Sequence, residues 1–138
     1  MQITQFTDYS LRTLMYLGKH SDRLCTVREI ADYYNISQNH LVKVVHNLSR
    51  LDYIKSSKGK GGGICLIKEP EQINLGDVVC QLEPNFTLVE CFNEKNNQCR
   101  ISEACGLKHI FFESLKAFTD TLRKYTLADT IKNPHIFN

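Results

Sequence analysis

Apolar residues recur along this chain at two periods, and the places where the period changes divide it. Leu11, Leu14, Met15 and Gly18 fall at helical spacing on one face of a helix that starts near Phe6. Asp8 and Arg12 are four apart on that helix, so their side chains meet on its surface. Thr26-Val27-Arg28-Glu29 is a capping-box sequence, in which a hydroxyl and a carboxylate three residues apart satisfy each other's backbone N–H groups. It opens a second helix containing Ile30, Ala31 and Tyr33. Asn35-Ile36 makes a short turn, and Ser37 caps a third helix that runs to about Leu51. Leu41, Val44, Val45 and Leu48 are its buried stripe, leaving Gln38, Asn39, Lys43, His46, Asn47 and Arg50 on the other faces.

The period then shortens. Tyr53-Ile54-Lys55-Ser56 and Ile64-Cys65-Leu66-Ile67 read as strands around Lys58-Gly59-Lys60-Gly61-Gly62-Gly63, a hairpin with a basic, glycine-rich tip. Asn74 caps a short helix from Leu75 to about Glu83, which Pro84 ends. The segment from Asn85 to Cys105 has no clear periodicity. Beyond it Leu107, Ile110, Phe111, Leu115, Phe118, Leu122 and Tyr125 return to three- and four-residue steps. So long a stripe beside a small domain predicts pairing with a second copy of the chain; packing back on its own domain is the alternative. Thr126-Leu127-Ala128-Asp129 forms another cap, and Pro134 ends regular structure.

The expected fold is therefore mainly α with a small β-hairpin wing: a winged helix–turn–helix plus a long C-terminal dimerisation helix. Residues 1–84 make the DNA-binding domain, 85–105 a loop, and 106–138 the dimerisation helix and tail. A chain of 138 residues suits such a compact unit. Its N-terminus has no basic segment followed by an apolar run, and no stretch approaches the roughly 18 apolar residues that span a bilayer. A cytoplasmic protein with reduced thiols is expected.

Charge changes the picture more than composition does. The formal net charge of +2 hides a segregation. Lys43, Arg50, Lys55, Lys58, Lys60 and Lys68 are opposed only by Asp52, whereas Glu69 to Cys105 is dominated by acids. A basic block on a winged helix predicts a polyanion-facing surface. On that logic Gln38, Asn39, His40 and Lys43 face the major groove of duplex DNA, and Lys58 and Lys60 reach phosphate or the minor groove. A winged helix used for protein interaction is the competing use. The glycine run lacks the spacing of a phosphate loop and precedes no helix.

Cys91, Cys99 and Cys105 share the aperiodic segment. Three thiols together in a cytosolic chain suggest a metal or redox centre rather than a crosslink. Spacing leaves three options open: an iron–sulfur cluster with a fourth ligand from elsewhere, structural zinc, or a thiol switch. His109 is the one nearby histidine placed to be a spare ligand. Cys25, Cys65 and Cys80 read as packing residues. No nucleophile–base–orienter set is present, so the chain does not read as an enzyme.

Phe6-Thr7-Asp8-Tyr9-Ser10-Leu11-Arg12, Ser37-Gln38-Asn39-His40-Leu41-Val42-Lys43, Gly61-Gly62-Gly63, the run Cys99 to Lys108, and Tyr125-Thr126-Leu127-Ala128-Asp129 together resemble the iron–sulfur winged-helix transcriptional repressors, in particular their nitric-oxide-sensing branch. The resemblance implies a homodimeric repressor on a palindromic operator. It implies a cluster in each subunit, 4Fe–4S ahead of 2Fe–2S, held by Cys91, Cys99 and Cys105. It also implies that Asp8 is the fourth ligand, contributed by the other subunit, with Arg12 nearby, and that nitric oxide is the signal that releases the operator. The cluster-assembly branch places a histidine three residues after its last cysteine, where this chain has Lys108. Cys91 and Cys99 are separated by two more residues than in the family pattern. A regulator of the same family that answers to iron or cluster status is the second expectation.

Overall fold

The computed structural model describes residues 1–137. Helices α1 (Gln5–Lys19), α2 (Val27–Tyr34) and α3 (Gln38–Arg50) lead into strands β1 (Ile54–Ser57) and β2 (Gly63–Leu66); α4 (Leu75–Leu82), α5 (Gly106–Arg123) and α6 (Leu127–Thr130) follow, with short 3-10 turns at Pro70–Gln72 and Glu90–Phe92. This is the winged helix–turn–helix with a long C-terminal helix that the sequence predicts.

The helix starts are set by local chemistry. The Thr4 hydroxyl accepts from the Thr7 N–H, Ser37 from that of His40, and Asn74 from those of Gly76 and Asp77. Thr26 with Glu29 forms the reciprocal capping box, and at Thr126 the Asp129 carboxylate accepts from both the N–H, at 2.8 Å, and the hydroxyl of Thr126, at 3.2 Å. Asn35 ends α2 in the left-handed region at φ 53°, which folds the chain sharply into α3.

The strands pair antiparallel, Ile54 opposite Leu66 and Ser57 opposite Gly63. β2 also exchanges backbone hydrogen bonds with Cys25, Cys25 N to Ile64 O at 3.0 Å and Ile64 N to Cys25 O at 2.7 Å. This approach needs Gly63, whose added Cβ would lie 2.6 Å from the Cys25 carbonyl oxygen.

One core joins these elements. Leu14 and Leu17 of α1, Ile30 of α2, Leu41, Val44 and Leu48 of α3, Ile54 and Ile64 of the hairpin, Val78 of α4 and Leu127 of α6 are buried together. Leu127 returns the end of the chain to the N-terminal core, with Leu127 N donating to Ile73 O at 2.8 Å. The buried face of α1 is rotated from the expected one. It includes Thr7, Ser10 and Thr13, while Leu11 and Met15 are only partly covered. Ser10 and Thr13 lose their polarity locally, because each hydroxyl donates to the carbonyl four residues back at 2.7 Å.

Of the three cysteines expected to pack, Cys25 is fully buried, whereas Cys65 and Cys80 are only partly covered. Cys65 sits on a two-stranded ribbon with no second sheet above it among the described residues, and the Cys80 sulfur lies 3.7 Å from Arg123 Nη2. Among the described residues no helix is long and apolar enough to cross a membrane.

Candidate metal centre and nucleic-acid interface

Burying Leu41, Val44 and Leu48 forces the opposite face of α3 outward. Gln38, Asn39, His40 and Lys43 are all exposed there. Lys58 and Lys60 are exposed at the tip of the wing, where Gly59 and Gly61 take φ of 96° and 78°. Every residue expected to contact DNA is thus available to solvent. His40 has a second attachment: its ring meets the edge of Tyr9 on α1, centroids 6.0 Å apart.

Tyr9 belongs to a compact group on α1. Asp8 and Arg12 form a two-pronged ion pair, Arg12 Nε to Asp8 Oδ1 at 3.0 Å and Nη2 to Oδ2 at 2.7 Å. The same guanidinium stands 5.9 Å from the ring centroids of both Tyr9 and Tyr34. The Tyr34 hydroxyl donates to the Arg12 carbonyl at 3.1 Å, and burial pushes its pKa well up, so it remains a donor. Asp8, Tyr9, Arg12 and Tyr34 line a cleft of about 440 Å³. Sequence spacing revealed the ion pair but not the tyrosines, since Tyr34 is distant in the chain and Tyr9 carries no pattern of its own.

The three cysteines come together elsewhere. Cys91 lies in the 3-10 turn, Cys99 on the loop, and Cys105 at the N-cap of α5 without making a capping bond. All three thiols are free of disulfides and line one cavity of about 250 Å³ with Ile101, Leu107, Lys108 and Phe111. The loop is braced by polar side chains. Asn97 accepts from the Cys99 N–H at 3.0 Å and donates to Ser102 Oγ at 2.8 Å, while Glu90 accepts from the Gln98 N–H at 2.5 Å. Asn97 was missed in the sequence, although a run rich in asparagine is the usual mark of such side-chain-closed turns.

Among the described residues no three histidine, cysteine or carboxylate groups converge as ligands for a single metal ion. The three cysteines line one cavity without meeting at a shared ligand point. Three cysteines are a donor set that fits an iron–sulfur cluster completed by a ligand from elsewhere. Cys105 also sits at the positive end of the α5 dipole, which favours an anionic ligand set. His109 lines a neighbouring cavity with Cys91, Phe92 and Phe112 instead, and Asp8 lines the separate cleft on α1. Within one chain, then, the cysteines come together without either.

Helix α5 has no buried residue. Leu107, Ile110 and Phe112 are 57%, 58% and 62% exposed along it. Its C-terminal end approaches α4 closely: an added Cβ on Gly76 of α4 would lie 2.3 Å from Arg123 Cγ.

Residues 3–133 match the family Rrf2, described as iron-dependent transcriptional regulators. The HTH-type transcriptional regulator NsrR of Shouchella clausii is 50% identical over 136 residues, covering 96% of this chain and 90% of that protein. NsrR of Bacillus licheniformis is 48% identical over 134 residues, covering 96% and 94%. The structure of CymR, the global cysteine regulator of B. subtilis, superposes with a TM-score of 0.76 at 25% identity, covering 95% of this chain and 96% of that one. These relatives are transcriptional regulators, not enzymes. With its exposed recognition helix and basic wing, this chain belongs to the Rrf2 family of transcriptional regulators.

Proposed function

We propose that the protein is a homodimeric repressor that binds a palindromic operator and releases it in response to nitric oxide. Residues 1–84 bind DNA, 85–105 hold an iron–sulfur cluster, 4Fe–4S before 2Fe–2S, and 106–138 form the dimer. The observation that carries the reading is that three uncrosslinked cysteines line one cavity, in a chain of an iron-dependent regulator family. A reducing cytoplasm is the compartment that keeps those thiols available.

Cys91, Cys99 and Cys105 supply three bonds, and Asp8 of the partner subunit supplies the fourth. The separation of Asp8 from the cysteines within one chain fits a ligand donated across a dimer, and the apolar stripe of α5, exposed at Leu107 and Ile110 and only partly covered elsewhere, is the surface that would hold that dimer together. When bound, the cluster supplies an iron whose carboxylate ligand is harder and more exchangeable than thiolate, which leaves that corner open to nitric oxide.

The chain's own residues convert this into a change at DNA. Asp8 has two partners to choose between, the metal of the other subunit and Arg12, with which it pairs here at 2.7 Å. Arg12 touches Tyr9, and Tyr9 touches His40 at the start of α3. Where Asp8 is held therefore biases the position of the recognition helix. Paired recognition helices must match half-sites about 34 Å apart, so a small displacement costs affinity.

The family description favours a second reading, a regulator that answers to iron or cluster status. Anaerobically isolated protein should be coloured, contain iron and sulfide, and lose both with Cys99→Ser. Nitric oxide should weaken operator binding, measured by fluorescence anisotropy, and Asp8→Ala should change the response. Colourless anaerobic protein that binds the operator fully, or coloured protein indifferent to nitric oxide, would overturn the proposal; the second result would point to the iron-status reading.

A further inference from the structure

Val42 occupies an unusual place on α3. Leu41 and Val44 on either side of it are completely buried, yet Val42 is 49% exposed. Asn39 and His46, one turn before and after it, are exposed as well, and so is Lys43. A single exposed aliphatic side chain is ordinary on a protein surface. Here the setting makes the difference, because the neighbouring groups can all hydrogen-bond to base edges or phosphate and valine can do neither. Leu107 and Ile110, exposed on α5, belong to the stripe assigned to the dimer, and Val42 is remote from it in the chain.

The major-groove edge of a base pair carries one distinctive apolar group, the C5-methyl of thymine. A valine in a helix holds essentially one χ1 rotamer, so it presents a stiff apolar surface and loses little freedom on contact. We propose that Val42 is a specificity-determining residue that packs against a thymine methyl in each half-site. This rests on the DNA-binding reading above and adds to it a base preference that the polar residues of α3 do not supply.

Replacing thymine with deoxyuridine removes only the methyl group and so isolates the contact. Full-length protein, prepared without oxygen, would first enrich binding sites from a pool of random duplexes. Each thymine of the enriched site is then replaced in turn with deoxyuridine, and affinity is measured for native protein and for Val42→Ala. Alanine is a better helix former than valine, so the variant keeps α3. At one thymine per half-site, deoxyuridine should weaken native binding about fourfold, the effect of losing one buried methyl. Val42→Ala should show no such penalty at that position. An enriched site with no methyl-sensitive thymine, or an undiminished penalty in Val42→Ala, overturns the role of Val42 and leaves DNA binding standing. A pool that yields no enriched sequence overturns both.

Discussion

Replacing Gly76 with alanine adds one methyl group where α4 crosses the end of α5. That methyl carbon would lie 2.3 Å from Arg123 Cγ, 2.8 Å from Arg123 N and 3.0 Å from its Cα. The side-chain atom can swing aside, but the two backbone atoms cannot move without displacing the helix. Alanine gains at most about 1 kcal/mol over glycine in helix propensity, and less in a first turn such as this one. Overpacking of a close contact costs about 1–3 kcal/mol. The clash wins, and the variant should be less stable by about 1–2 kcal/mol, or roughly 3–6 °C in Tm for a chain of this size. Gly106→Ala is the internal control. It too lies in a helix, but nothing stands within 4 Å of its added Cβ, so it should be neutral or slightly stabilising. Urea unfolding of the native protein and both variants, at one fixed protomer concentration, separates the two cases. Gly76→Ala matching or exceeding native stability would refute the tight α4–α5 contact. The displacement also has a functional reach, because Cys105, proposed above as a cluster ligand, is the N-cap of α5 and would move with it.

The apolar stripe of α5 gives a second test. Ile110→Glu places a charge at a position 58% exposed in the single chain, so it should leave the fold intact. Across a two-fold interface it appears twice, and sedimentation should show dimerisation at least about a hundredfold weaker; a native protein that is monomeric at micromolar concentration would dismiss the interface. Glu29 gives a third. Its hydrogen bond to Arg23, and next the Thr26 N–H, hold its carboxyl at about 2, against burial that raises it. A depressed carboxyl contributes stability that is complete above its unfolded value of about 4.3 and is lost as pH falls toward 2. Glu29→Gln should therefore lower stability at neutral pH by on the order of 1 kcal/mol and flatten the decline between about pH 5 and 2, followed by circular dichroism. An unchanged acid profile would show that the Thr26–Glu29–Arg23 network contributes nothing.

Legibility in the sequence followed the range of the interaction. The caps at Thr26, Ser37, Asn74 and Thr126 all form as their spacing predicts, because a cap joins residues two or three apart and needs no other part of the fold. Leu41, Val44 and Leu48 of the α3 stripe are buried as expected for the same reason, while Val45 at its edge is only partly covered. The face of α1 was harder to place. Thr7, Ser10 and Thr13 read as polar in sequence, but Ser10 and Thr13 satisfy their hydroxyls on the helix itself and all three enter the core. Cys65 and Cys80 misled in the opposite direction, since apolar character does not guarantee that another element arrives to cover a side chain.

At the candidate site the division is sharper. Cys91, Cys99 and Cys105 can be picked out from composition and spacing, as can the Asp8–Arg12 pair, because residue chemistry and helical periodicity are properties of the linear chain. That the three cysteines line one cavity, that Asn97 braces their loop, and that Asp8 lies in a different cleft depend on how the loop folds over α5. The link from Arg12 through Tyr9 to His40 is likewise made in space, between α1 and α3. Neighbours within about four residues announce themselves through the periodicity of helix and strand. Contacts between distant segments exist only once packing has brought those segments together, and no local pattern encodes them.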